Sequence, residues 1–101
     1  MYQWTTPTLT YQMPTAVDID NAIDVYVSFS KNGKTFLTNK EPTIDGDNVI
    51  VELSQEESGA FPIGDVLVQL NWTFMENDKK KRNCTDLAFE KVKVNLYDKP
   101  M

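Results

Sequence analysis

Val66, Val68, Leu70, Trp72 and Phe74 lie two residues apart, and Asp65, Gln69, Asn71 and Thr73 stand between them. Successive side chains on a strand point to opposite faces, so this spacing predicts a strand with one buried side. Gly64 opens the run, which is the longest in the chain and the predicted central strand; Leu67 is the one apolar residue on its polar side. Period-two alternation recurs elsewhere, and no window of useful length carries the 3.6-residue period of a helix. The chain reads as all-β.

The sharpest local signal is Lys31-Asn32-Gly33-Lys34, because Asn-Gly supplies the two positive-φ positions of a tight type I′ hairpin turn. A two-residue loop sets positions summing to 65 opposite each other, with Phe29 facing Phe36 and Val27 facing Thr38. Ile23 and Val25 then share the buried face, while Tyr26 and Leu37 point to the other. Upstream, Trp4, Pro7, Leu9, Tyr11 and Met13 alternate with Thr6, Thr8, Thr10 and Gln12, a first strand with Pro7 at a sheet edge or strand start. Residues 15–22 form a polar connection with room for one irregular turn.

Asp45-Gly46-Asp47-Asn48 is a second turn, leading into Val49, Val51 and Leu53. Ser54 and Glu57 have capping-box spacing for one short helical turn, which Gly59 and Pro62 end, and Phe61 is expected to fold back onto the core. Residues 75–83 read as a polar loop. Beyond it, Leu87 and Phe89 occupy odd positions whereas Val92, Val94 and Leu96 occupy even ones, a phase change that predicts a β-bulge near Glu90 and Lys91. About seven short strands and one helical turn predict an antiparallel immunoglobulin-like β-sandwich without the paired cysteines of antibody domains. With 101 residues, 41% of them hydrophobic, residues 1–101 suit one domain with one core.

Composition narrows function. There is no histidine and one cysteine, Cys84, which removes Ser-His and Cys-His nucleophile pairs, imidazole metal sites and an intramolecular disulfide. An enzyme is not expected, and no residue set implies a cofactor. The net charge of -5 makes nucleic acid a poor partner. Lys79, Lys80, Lys81 and Arg82 form one basic run, leaving six positive charges against fifteen negative ones elsewhere. The run is either an anion-binding patch or a solvated hairpin tip that discourages edge pairing. No membrane span and no export signal are visible, so the expected site of synthesis is the cytoplasm.

Several matches to catalytic or metal motifs fail on geometry. Ser28-Phe29-Ser30-Lys31 has Ser-x-x-Lys spacing, but residues three apart on a strand face opposite sides. Asp45-Gly46-Asp47-Asn48 begins like a calcium loop, yet Val49 and Ile50 replace a ligand and the required glycine. Asp18, Asp20 and Asp24 could meet around a cation or simply be solvated. Trp72 has core phase, whereas Trp4 and Tyr2 could stack on sugar rings if exposed.

Thr6-Pro7-Thr8-Leu9-Thr10, Asp24-Val25-Tyr26-Val27-Ser28-Phe29, Ile44-Asp45-Gly46-Asp47-Asn48-Val49, Leu53-Ser54-Gln55-Glu56-Glu57 and Gly64-Asp65-Val66-Leu67-Val68-Gln69-Leu70 follow one another in an order that resembles small proteins from the tail and baseplate regions of prophages in Gram-positive gut bacteria. The chain is also similar to the N-terminal docking domain of baseplate upper proteins, without their coiled coil or receptor-binding extension. The resemblance implies a structural or adaptor role, with other phage structural proteins as partners and the virion as a destination. The residues expected to carry partner binding are Tyr26, Leu37 and Leu67, an outward apolar cluster on an acidic surface. Rival readings are that a loop or the N-terminal segment covers these residues, that a polar edge strand joins a partner's sheet, or that the domain binds cell-surface glycans.

Overall fold

In the computed structural model, which describes residues 1–101, β1 (Thr8–Gln12), β5 (Asn48–Glu52) and β4 (Thr43–Asp45) form one sheet in that order. The second sheet has the order β3 (Lys34–Lys40), β2 (Val25–Lys31), β6 (Gly64–Glu76), β7 (Lys79–Val92). Every strand pairing is antiparallel. The chain is an all-β sandwich, and its connectivity is immunoglobulin-like: the sheets match B-E-D and C′-C-F-G of that fold. A helix, α1 (Gln55–Gly59), links β5 to β6 where one helical turn was expected.

The core lies between the sheets. Val27 and Phe29 from β2, Val49 and Val51 from β5, and Val66, Val68 and Leu70 from β6 are all fully buried, so the period-two alternation selects the inner face as predicted. β6 is an interior strand between β2 and β7, and Trp72 is buried in the core. Phe61 returns beneath α1 and stacks on Phe29 with ring centroids 4.9 Å apart. The capping box is complete: the Glu57 amide donates to Ser54 Oγ (3.1 Å) and the Ser54 amide donates to Glu57 Oε1 (2.8 Å). Fully buried Ser58 donates to the Thr5 carbonyl (2.7 Å) and accepts from the Thr5 amide (3.0 Å), tying the N-terminal segment to α1.

Tertiary packing changes several local expectations. The first strand begins at Thr8 rather than Trp4, because Trp4 turns the chain at φ 62° and lays its indole over Gly59. The connection after β1 holds two 3-10 turns, Thr15–Val17 and Ile19–Asn21, and Ile19 is buried under them. Asn32 and Gly33 have the positive φ values, 52° and 79°, of the predicted turn. Its register, however, holds only for Lys31↔Lys34 and Ser30↔Thr35; two shifts then set Phe29 against Leu37 and Val27 against Lys40. Asn39, at φ 58°, lies within this irregular stretch. Ile23 is exposed rather than on the buried face.

Residues 75–83 are not a loop. β6 and β7 run to a two-residue turn at Asn77 and Asp78, both at positive φ, with Glu76 opposite Lys79. β2 reaches β6 only as far as Trp72, so the end of this hairpin extends past the sheet as a two-stranded arm. The predicted bulge exists at Leu87, between the pairs Val68↔Ala88 and Gln69↔Asp86, three residues before Glu90.

Candidate functional site

The outer face of the four-stranded sheet can be read row by row from its ladder. Ser30, Leu67 and Phe89 are neighbours across β2, β6 and β7; the next row holds Ser28, Gln69 and Asp86, and the next Tyr26, Asn71 and Cys84. Most of this face is polar and cross-linked. Gln69 Nε2 donates to Asp86 Oδ1 (3.0 Å), and Arg82 donates through Nε (3.2 Å) and Nη2 (3.0 Å) to Asn71 Oδ1. Paired donors from one planar guanidinium hold that side chain flat on the sheet.

Tyr26 sits half-buried beside a shallow hollow of about 360 Å³ whose wall includes Asp24, Ser28, Asn71 and Arg82. Asp24 accepts from Lys80 Nζ (3.1 Å) and from Thr73 Oγ1 (3.1 Å). The Lys80 ammonium and then the Thr73 hydroxyl hold the Asp24 carboxyl below its ordinary range. The basic run therefore lies on edge strand β7, with Lys80 and Arg82 engaged on the sheet and Lys81 3.8 Å from Glu76. Asp18 accepts from Asn21 Nδ2 (2.9 and 3.0 Å), so Asp18 and Asp24 face different partners.

Leu67 occupies the outer face as its phase required, directly opposite Phe89. These two side chains border a second hollow of about 380 Å³ against the Asn32-Gly33 turn. Leu37 does not join them. The shifted register places it opposite buried Phe29 and packs it against the core, which removes it from the face of Tyr26. Tyr26 and Leu67 share a face but stand on adjoining strands two rows apart, four residues or about 13 Å along the ladder. Phe89 was missed as a surface residue; the visible signal was its odd phase against Val92 and Val94, which the Leu87 bulge converts into an outward side chain.

Among the aromatics named for sugar stacking, Trp4 is half-buried on Gly59, while Tyr2 is exposed with Lys93 Nζ 5.5 Å from its ring centroid. No known family model, curated protein or solved structure matches the chain.

Proposed function

We propose that this chain is a phage-derived structural or adaptor protein, a tail or baseplate component that binds other virion proteins through the outer face of its four-stranded sheet. The observation that carries the reading is Phe89, 69% exposed on edge strand β7 beside Leu67, with the bonded polar pair Gln69 and Asp86 in the next row. A large aromatic held out of the core by a bulge is the kind of anchor that fills a partner's pocket, and a polar rim excludes water around it. Tyr26 extends the surface along the same face. The phage context rests on the order of the sequence strings described above.

Glycan recognition is the second reading, and Tyr2 is the exposed aromatic that favours it. A glycan array on which the chain binds nothing removes it.

The test is incorporation into particles. Cells carrying the intact prophage should yield purified virions that contain the wild-type chain, while Phe89→Ser with Tyr26→Ala should fold normally by circular dichroism yet be depleted at least about 30-fold, the consequence of losing an anchor worth about 2 kcal/mol. Virions without the wild-type chain, or equal incorporation of the variant, would overturn the proposal.

A further inference from the structure

The sandwich is open along one side. β1 and β7 are the edge strands there, one from each sheet, and a groove of about 430 Å³ runs between them. Tyr11, Met13, Val17, Trp72 and Leu87 line it, with exposed Thr10 and Asp86 at its mouth. Only one side of each edge strand is paired: β1 bonds β5 and β7 bonds β6. The N-terminal segment uses the outer edge of β7 only at its far end, where the Met1 ammonium donates to the Lys91 carbonyl, the Lys93 amide donates to Met1 and the Gln3 amide donates to Lys93. Backbone groups on the rest of that edge are available to another strand.

The same chain carries a segment with the opposite property. Residues 94–97 lie outside any strand, and Val94 and Leu96 stand two apart with Asn95 between them, the spacing that puts both on one side when such a segment is extended. The polar partner Asn95 donates through Nδ2 to the Gln3 carbonyl (2.9 Å), and Gln55 grips the backbone of Met101 through Oε1 (2.6 Å) and Nε2 (3.2 Å). Polar contacts hold this tail, while its apolar side chains face water: Leu96 is 96% exposed and Val94 53%. A strand of four residues spans about 13 Å, which the five residues of β1 can flank along its whole length.

We infer that the groove between β1 and β7 accepts residues 94–99 of a second copy of this chain as an added strand. Main-chain bonds to the open edges supply affinity, and Val94 and Leu96 enter the apolar groove in place of water. Charge agrees with the choice of occupant. Lys93 precedes the donated segment and Lys99 ends it, with Asp98 also in the segment, while Asp86 is the one charged residue lining the groove and the basic residues of β7, Lys79 to Arg82 and Lys91, lie outside that lining. Donor and acceptor are different patches, so reciprocal exchange closes a two-fold dimer and serial, head-to-tail donation builds a larger assembly. This inference does not depend on the Phe89 face or on a phage partner.

The test is sedimentation velocity of the full chain from micromolar to millimolar concentration. The wild type should associate reversibly with concentration. Leu96→Asp, a change at a solvated side chain, should weaken association at least about 30-fold by bringing a charge into the groove, and Thr10→Arg, which blocks the mouth, should do the same. A labelled peptide of residues 93–101 should bind Leu96→Asp, whose acceptor is intact, and not Thr10→Arg. A wild type that stays monomeric throughout, equal association of Leu96→Asp, or failure of the peptide to bind Leu96→Asp would each overturn the inference.

Discussion

The phenol of Tyr11 on β1 donates a 2.6 Å hydrogen bond to Oε1 of Glu90 on β7, joining the two sheets across the open side of the sandwich. Burial, followed by this bond and the negative charge of Glu90, pushes the phenol well above its ordinary value. A raised native pKa means that the bond contributes fully below about pH 10, where the unfolded tyrosine is protonated, and that stability declines as pH rises beyond it. Tyr11→Phe should cost about 1 kcal/mol in urea denaturation at neutral pH and flatten this alkaline decline. A variant with an unchanged alkaline profile would contradict the assignment.

The start of α1 should respond in the acid range. Burial raises the Glu57 carboxyl, but the Ser54 amide and the Lys40 ammonium 2.9 Å away outweigh it, so the native value lies below the ordinary one. The unfolded chain then binds more protons, and stability falls as pH drops below about 4.5 through the depressed native value. Glu57→Gln keeps a side-chain acceptor for the capping box and loses the ion pair, so it should reduce the acid slope in thermal melts. Ser54→Ala should cost about 1 kcal/mol at neutral pH through loss of the cap.

Gly59 has no special backbone angle, and alanine there would ordinarily favour a helix by about 1 kcal/mol. A Cβ at this position, however, would lie 2.4–2.6 Å from three atoms of the Trp4 indole. Gly59→Ala should therefore destabilise by about 1–3 kcal/mol, the usual cost of overpacking. Displacement of the ring should appear as stronger acrylamide quenching of tryptophan fluorescence.

Phe61 reaches the core from outside any strand and stacks on Phe29. Phe61→Ala should cost about 3–5 kcal/mol, a large share of the stability of a domain this size. Phe89→Ser, by contrast, changes an exposed side chain and should shift the denaturation midpoint by less than about 0.5 kcal/mol. Comparable losses for both variants would mean that Phe89 is covered in solution.

How much of this was readable depended on the range of the interactions involved. The Asn32-Gly33 turn, the Ser54–Glu57 cap and the inner face of β6 are decided within a few residues, by positive φ, reciprocal amide bonds and alternation. Asn77-Asp78 makes an equivalent turn, but it is a weaker turn signal within a charged run, so residues 75–83 looked like loop. Of the expected binding residues, Tyr26 and Leu67 kept their face because β2 and β6 pair without a shift between Val25 and Ser30. Leu37 lost its place because one register shift, between Ser30 and Phe29, comes before its pair with Phe29, and a slip of one residue turns a side chain to the other face.

The amino-acid sequence by itself determined the all-β class, the inner faces of β2, β5 and β6 and the turns at Asn32-Gly33 and Gly46. These follow from steric limits on φ and from burial of alternating apolar side chains, which every residue carries locally. Only the tertiary structure decided where bulges fall, that Phe89 faces outward, that Trp4 covers Gly59, and that β1 and β7 border an open groove. Each of those depends on which strands meet and in what register, a competition among contacts far apart in the chain that no local pattern records.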